Sequence, residues 1–157
     1  MKFAAASLIA MTAAFSAVGA SAQVSLENRV MEEVVIQSED GSTTTSIVAA
    51  DSMAPGDTAV YTMTYSNNGN EAASNLVISN PISDAVLYIG PGAGSEEPLV
   101  SVDGGATFAP LEQLHVVEAD GTHRQAGAAD VTHVRWMVNG PVAPGAQGSV
   151  SYKGTVR

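Results

Sequence analysis

Residues 53–70, MAPGDTAVYTMTYSNNGN, contain a turn, a strand and a second turn, and this unit constrains the fold more than any other stretch. Pro55-Gly56-Asp57 is a turn signal, because Pro presets φ at the first turn position and Gly supplies a positive φ. The run 59–65 then alternates between two faces, as a half-buried strand does. The face predicted to lie in the core carries Tyr61, Met63 and Tyr65. At Asn67-Asn68-Gly69-Asn70 the backbone can turn again.

Turn residues recur about every ten positions along the rest of the chain, and no convincing amphipathic helix lies between them. This spacing is typical of an all-β sandwich. We therefore predict an immunoglobulin-like antiparallel β-sandwich of about seven to nine strands. The candidate strands are residues 25–36, 43–50, 58–65, 72–79, 85–89, 99–102, 114–118, 131–138 and 148–156. Residues 90–98, which are rich in Gly and Pro and contain two Glu, are predicted to form an exposed loop.

The two C-terminal candidate strands show the clearest alternation of apolar and polar side chains. Their predicted core faces carry Val134, Trp136 and Val138 in one strand and Val150, Tyr152 and Val156 in the other. Trp136 is the only Trp of the chain. Its position between two Val residues predicts a core anchor, and the alternative is an exposed ring that binds sugar.

The N-terminus has the features of a secretory signal peptide. Lys2 supplies a positive charge, residues 3–18 are apolar and small, and Ala20-Ser21-Ala22 fits an A-x-A cleavage site. The alternative is an uncleaved transmembrane anchor. We expect residues 1–22 to be removed, which leaves residues 23–157 as one exported domain located outside the cell, on its surface or in the periplasm.

The charge of the mature chain excludes some partners. Removal of Lys2 leaves five basic residues against sixteen acidic ones, a net charge of −11. Nucleic acid is therefore not expected as a partner, because phosphate contacts need clustered Lys and Arg. No segment after the signal is apolar enough for stable membrane insertion. The chain has no Cys, so burial of apolar side chains must stabilise the fold without a disulfide.

The octapeptide SVDGGATF, residues 101–108, has the pattern S-x-D-x-G-x-T-F and resembles the Asp-box of sialidase-type propellers. A short Asp side chain can accept hydrogen bonds from nearby backbone N–H groups, and Gly permits a tight reversal. A propeller needs several blades, whereas this chain has one box. We therefore predict a structural hairpin turn, with Ser101, Asp103, Gly105 and Thr107 as its key residues.

Catalytic and metal-binding patterns are not visible in the sequence. There is no Cys and no G-x-S-x-G nucleophile elbow, so no enzymatic activity and no cofactor are predicted. His115, His123 and His133 lack a metal-ligand spacing. Ca²⁺ remains open, because acidic turn residues could supply oxygen ligands if two loops converged. These residues are Asp51, Asp57, Asp84, Asp103 and Asp120.

The stretch 50–90 resembles the repeat domain of bacterial secreted and surface proteins known as domain of unknown function eleven. The shared features are a Pro-Gly-Asp turn, a strand carrying Tyr-Thr, and an Asn-x-Gly-Asn turn. Asn80-Pro81 stands where that family more often has Asp-Pro. The resemblance implies an immunoglobulin-like β-sandwich, and it brings no catalytic residues.

These observations predict a non-enzymatic structural or adhesive module whose partners are other copies of itself or components of the envelope and surface. The alternative is an extracellular carbohydrate-binding module, which an aromatic cluster on an exposed face would favour. After cleavage, residues 24–31 would form a terminal alternating strand. This strand can close its own sheet or add to the sheet of a neighbour.

Processing at the A-x-A site gives the first testable prediction. We expect the exported protein to begin at Gln23, because signal peptidase cleaves after small residues at this spacing. N-terminal sequencing or the intact mass of the protein in the envelope and extracellular fractions checks this. An exported protein that retains Met1 would contradict it.

Overall fold

The computed structural model describes residues 22–50 and 52–157. Residues 1–21 of the predicted signal peptide and Asp51 lie outside the described residues. The described chain contains ten strands and two short 3-10 helices, at Leu111–Gln113 and Ala128–Asp130. The strands are β1 (Val24–Gln37), β2 (Thr43–Ala49), β3 (Thr58–Asn67), β4 (Val77–Pro81), β5 (Val86–Pro91), β6 (Leu99–Ser101), β7 (His115–Val117), β8 (His123–Gln125), β9 (His133–Met137) and β10 (Gln147–Val156).

The strands form an antiparallel β-sandwich, which confirms the predicted all-β fold class. One sheet has five strands in the order β2-β1-β3-β10-β5, and the other has three in the order β4-β9-β6. β7 and β8 form a separate two-stranded ribbon. In the described part of the chain, no helix is long and apolar enough to cross a membrane.

One strand prediction was wrong in its bounds, and one strand was missed. Residues 72–79 were predicted as one strand, but β4 begins only at Val77. Asn75 adopts a positive φ of 57°, which interrupts the extended backbone two residues before β4 begins. The strand His123–Gln125 was missed, because its polar sequence has no apolar alternation to mark it.

The core is centred on Tyr152, which is 1% exposed. Its ring stacks on Tyr61 with the centroids 4.7 Å apart, and its centroid lies 6.4 Å from that of Trp136 in the opposite sheet and 6.3 Å from that of Tyr88. The Asn80 amide donates a hydrogen bond of 3.1 Å to the Tyr152 hydroxyl. Burial raises the pKa of Tyr152 to about 12, so the hydroxyl stays protonated at physiological pH.

The other predicted core residues lie at different depths. Trp136 is 4% exposed and Tyr152 is buried beside it, whereas Tyr61 and Tyr65 are half-buried and pack against the core. Burial raises the pKa of the Tyr61 hydroxyl. The aromatic cluster thus lies between the sheets, with the Tyr61 and Tyr65 rings towards its margin.

The turn at Pro55-Gly56-Asp57 joins the start of β3 to the end of β10. The Ala54 N–H donates to the Asp57 carboxylate at 2.6 Å, and Gly56 has a φ of 100°. The Gly56 N–H donates to the carbonyl of Val156 at 2.9 Å. These residues therefore form the turn and also hydrogen-bond it to the last strand.

Asn67 holds the opposite end of β3. Its side chain is fully buried, and its amide group donates to the carbonyls of Glu71 at 2.7 Å and Val142 at 2.9 Å. Its side-chain oxygen accepts a 3.0 Å hydrogen bond from the Gly69 N–H. Buried amides are retained in this way only when their hydrogen bonds are made.

The packing of Trp136 predicts a large stability effect. Trp136→Ala should lower the free energy of unfolding by roughly 3–5 kcal/mol, because it removes a buried ring and leaves a cavity. Denaturant titration measures this value. The control is Met137→Ala, which changes the next residue on β9, whose side chain is exposed, and should stay within about 0.5 kcal/mol. Similar effects for the two variants would contradict the packing argument.

Candidate functional site

β1 is longer than the strands that pair with it, and this leaves part of it open. β3 pairs with β1 along residues 24–33, on one side. β2 pairs with β1 only along residues 31–37, on the other side. Within the described chain, residues 24–30 therefore have an unpaired edge on the β2 side. The predicted terminal strand lies in its own sheet, and it still presents one edge to solvent.

The outer edge of β2 is the second open edge. β2 is the last strand of the five-stranded sheet, and its sequence, TTTSIVA, has no charged residue and no Pro. Proteins usually protect sheet edges with Lys, Pro or a bulge, because exposed N–H and C=O groups can pair with another chain. β2 has seven residues, the same length as the open stretch 24–30 of β1.

The inner face of β1 carries aliphatic side chains that are not covered. Leu26 lies opposite Tyr65, and Val30 lies opposite Tyr61. Directly paired residues of antiparallel strands point to the same face, so both aliphatic side chains point to the side on which the core lies. Leu26 is nevertheless 49% exposed and Val30 is 42% exposed. The three-stranded sheet does not cover this part of the five-stranded sheet.

A cleft of about 260 Å³ opens beside the aromatic core. It is lined by the ends of β3, β9 and β10, by residues 138–139 that follow β9, and by the loop after β5. Its chemistry is mixed, because aromatic and aliphatic surfaces meet a carboxylate, an amide and hydroxyls. The lining residues with the most distinctive chemistry are Tyr65, Glu96, Trp136, Asn139 and Ser149.

Hydrogen bonds hold the loop in place over the cleft. The indole N–H of Trp136 donates to the carbonyl of Glu96 at 3.0 Å. The Asn139 amide lies 3.4 Å from both carboxylate oxygens of Glu96. Ser95 accepts a 2.7 Å hydrogen bond from the Ser151 N–H of β10. The sequence predicted an exposed loop at residues 90–98 but gave no signal that Glu96 would lie against Trp136.

The Asp-box-like segment forms a closed network of local hydrogen bonds. The Asp103 carboxylate accepts from the N–H groups of Ala106 at 3.0 Å and Thr107 at 2.9 Å. It also accepts from the hydroxyls of Ser101 at 2.7 Å and Thr107 at 2.6 Å. The Gly105 N–H donates to the Ser101 hydroxyl at 2.9 Å. The Thr107 and Ser101 hydrogen bonds hold the pKa of Asp103 well below its ordinary value of 3.8.

The aromatic residue of this segment packs against the three-stranded sheet. The guanidinium carbon of Arg135 lies 3.5 Å from the centroid of the Phe108 ring, a cation–π geometry. The imidazole of His133 meets the same ring edge-on at 6.5 Å and is hydrogen-bonded to Thr132. The surroundings of these side chains account for their positions without a ligand.

The candidate Ca²⁺ and His residues do not converge in the described part of the chain. Across residues 22–50 and 52–157, no group of three or more acidic or His side chains could hold a metal ion. Asp57 and Asp120 each accept hydrogen bonds within their own turns, and Asp84 is likewise in no such group. His115 lies opposite Gln125 and His123 lies opposite Val117, at the two ends of the β7–β8 ribbon.

An ion-pair cluster that sequence analysis missed fixes the β7–β8 ribbon. Arg124 contacts Glu118, and its guanidinium donates to the two Asp130 oxygens at 2.6 and 2.7 Å. Asp130 also accepts from the Gly127 N–H at 2.8 Å. The Arg124 hydrogen bond is the main cause that lowers the pKa of Asp130 to about 2. Glu118 follows β7, Arg124 lies in β8 and Asp130 ends the second 3-10 helix, so no spacing in the sequence reveals the cluster.

Comparisons with protein families, curated proteins and solved structures found no match to this chain. The resemblance to domain of unknown function eleven therefore remains a prediction from the residues of the stretch 50–90.

The Asp103 network predicts a pH-dependent contribution to stability. Asp103→Ala should lower the urea midpoint at neutral pH, because four hydrogen-bond donors lose their acceptor. The folded-state pKa lies below the unfolded one, so this contribution is present above about pH 4 and is lost as the pH falls further. The difference between variant and wild type should therefore shrink towards about pH 2.

Urea titrations at a series of pH values measure this trend. Glu112→Ala is the control, because it also removes one exposed negative charge but has no described hydrogen bond to lose. A difference for Asp103→Ala that is constant with pH would show that the carboxylate does not hold the turn.

Proposed function

We propose that this protein is a non-enzymatic structural or adhesive module of the cell surface or extracellular space, which assembles with copies of itself by β-strand addition. The observation that carries the proposal is the uncharged outer edge of β2, together with the open edge of β1 at residues 24–30. An added strand satisfies the N–H and C=O groups of such an edge, and side-chain contacts then select the partner.

A second copy fits these edges better than an unrelated charged partner does. The chain has a net charge of −10, so most of its surface repels another copy. The two open edges are locally neutral strips of this surface. β2 has no charge, and on β1 Glu27 is paired with Arg29 at 3.1 Å. Pairing between copies along these strips buries no unpaired charge.

Contact between unlike edges would produce an open assembly. When β2 of one copy pairs with residues 24–30 of the next, the interface is heterologous, and the pair as a whole keeps one free edge of each kind. Such a contact repeats as a filament unless its rotation closes a ring. The neighbouring strand would also lie beside Leu26 and Val30 and remove part of their apolar surface from water.

The charge of the chain adds a condition on this assembly. Repulsion between copies is screened over about 10 Å at 0.1 M salt and over about 3 Å at 1 M salt. Filaments should therefore form more readily as ionic strength rises. An assembly held by ion pairs would show the opposite salt dependence.

A charge placed on β2 tests the proposal. In the chain that begins at Gln23, Thr45→Lys should abolish high-mass species in light scattering and filaments in negative-stain microscopy. Thr45 is exposed, so the added charge costs little in the monomer but would be buried without a partner in the assembly. The thermal unfolding midpoint should stay close to that of the wild type.

Thr45→Val is the matched control, because it keeps a β-branched, uncharged residue at the same place. It should assemble at least as well as the wild type. The proposal is wrong if the wild-type mature chain stays monomeric at high concentration and high salt. It is also wrong if Thr45→Lys assembles as the wild type does.

A further inference from the structure

We infer that the cleft between the ends of the two sheets is a binding site for a single neutral sugar ring, separate from the assembly edges. At about 260 Å³ the cleft is smaller than the roughly 300–1,000 Å³ of sites for drug-sized molecules, so it suits one small ring. It is also open at one side, as a site for the end of a longer glycan must be.

The cleft offers apolar and polar surfaces together. Tyr65 lies across from Gly148 on β10, where a Cβ would come within 2.3 Å of the tyrosine hydroxyl oxygen. The glycine therefore makes room for the tyrosine ring at the floor of the cleft. Trp136 also lines the cleft, but it is only 4% exposed, so Tyr65 supplies most of the aromatic surface that a ligand can reach. Sugar rings pack their C–H faces on such aromatic surfaces, which combine apolar and polar character.

Several hydrogen-bonding groups of the cleft are available to a ligand. The Tyr65 hydroxyl has no protein partner among the described residues. The Glu96 carboxylate is held only by the two 3.4 Å contacts with Asn139, so it retains strong acceptor capacity. A carboxylate can accept two neighbouring hydroxyl groups, and the amide and hydroxyls can donate or accept in return.

The charge of the cleft selects against other ligand classes. Glu96 and the net charge of −10 disfavour anions such as phosphate and carboxylate. A Ca²⁺ ion needs six to eight oxygen ligands, and Glu96 is the only carboxylate in the lining. An organic cation such as choline could also use aromatic rings and a carboxylate. A quaternary ammonium head needs several aromatic faces around it, whereas Tyr65 is the main ring that a ligand can reach here. The Tyr65 hydroxyl, the Asn139 amide and the Glu96 carboxylate match the several hydroxyls of a sugar ring better than the single hydroxyl of choline.

The single Trp of the chain lines the cleft, so intrinsic fluorescence reports directly on this site. The test uses the Thr45→Lys chain, so that its outcome does not depend on assembly. Glucose, galactose, mannose and N-acetylglucosamine are titrated separately, with choline as the cation probe. We expect a saturable change with at least one sugar at concentrations near or above about 1 mM, and no saturation with choline.

Paired variants of adjacent glutamates then locate the site. Glu96→Gln should weaken the sugar about tenfold, because it removes a charged acceptor. Glu97→Gln should leave the affinity unchanged, because Glu97 does not line the cleft and instead accepts a 3.1 Å hydrogen bond from Tyr88. Gly148→Ala, which displaces the Tyr65 hydroxyl, should also weaken binding while the unfolding midpoint shows that the fold is retained.

The inference is overturned if no sugar produces a saturable change up to about 100 mM, well above typical weak affinities. Saturation with choline alone would assign the cleft to an organic cation and also overturn it. Equal effects of the two glutamate variants would place the binding elsewhere. Because the titration uses the Thr45→Lys chain, none of these outcomes bears on self-assembly.

Discussion

Tyr152 joins the two sheets, and the rest of the core is arranged around it. It stacks on Tyr61 within its own sheet and faces Trp136 in the other sheet. Asn80 satisfies its hydroxyl, so the ring adds buried apolar area without leaving a buried polar group unpaired. The chain has no Cys, and the sheets are therefore joined by packing and hydrogen bonds, without the inter-sheet disulfide of antibody domains.

The unequal size of the two sheets has a direct consequence for the surface. Three strands cannot cover five, so the aliphatic side chains of Leu26 and Val30 on the inner face of β1 remain exposed. A monomer with this surface exposes apolar side chains next to the unpaired N–H and C=O groups of an uncharged edge strand. A neighbouring strand can cover the first and pair with the second. The acidic character of the remaining surface limits indiscriminate association. Pairing at these edges is the contact that we propose between copies.

The loop after β5 forms the cleft by crossing from one sheet to the other. It continues beside β10, where Gly92 donates to the carbonyl of Ser151, and then reaches β9, where Glu96 accepts from Trp136. A Cβ at residue 92 would come within 2.0 Å of the Ser151 hydroxyl oxygen, so only Gly permits this close passage. The same crossing places a carboxylate beside an otherwise apolar aromatic core. The open edges and the cleft thus have separate structural origins.

Local chemistry was sufficient to predict several features from the printed sequence. The turn at Pro55-Gly56-Asp57 and the network around Asp103 depend largely on residues a few positions apart, and alternation alone assigned Tyr152 and Trp136 to the core side.

The strand β8 was missed, because a polar two-stranded ribbon carries no periodic apolar signal. Sequence reasoning also could not find the open edges or the cleft. The exposure of Leu26 depends on its pairing with Tyr65, and the position of Glu96 depends on its contact with Trp136, 40 residues away. Such long-range pairings are set by how many strands each sheet acquires and by which loops cross between them, and no local pattern of residues encodes that choice.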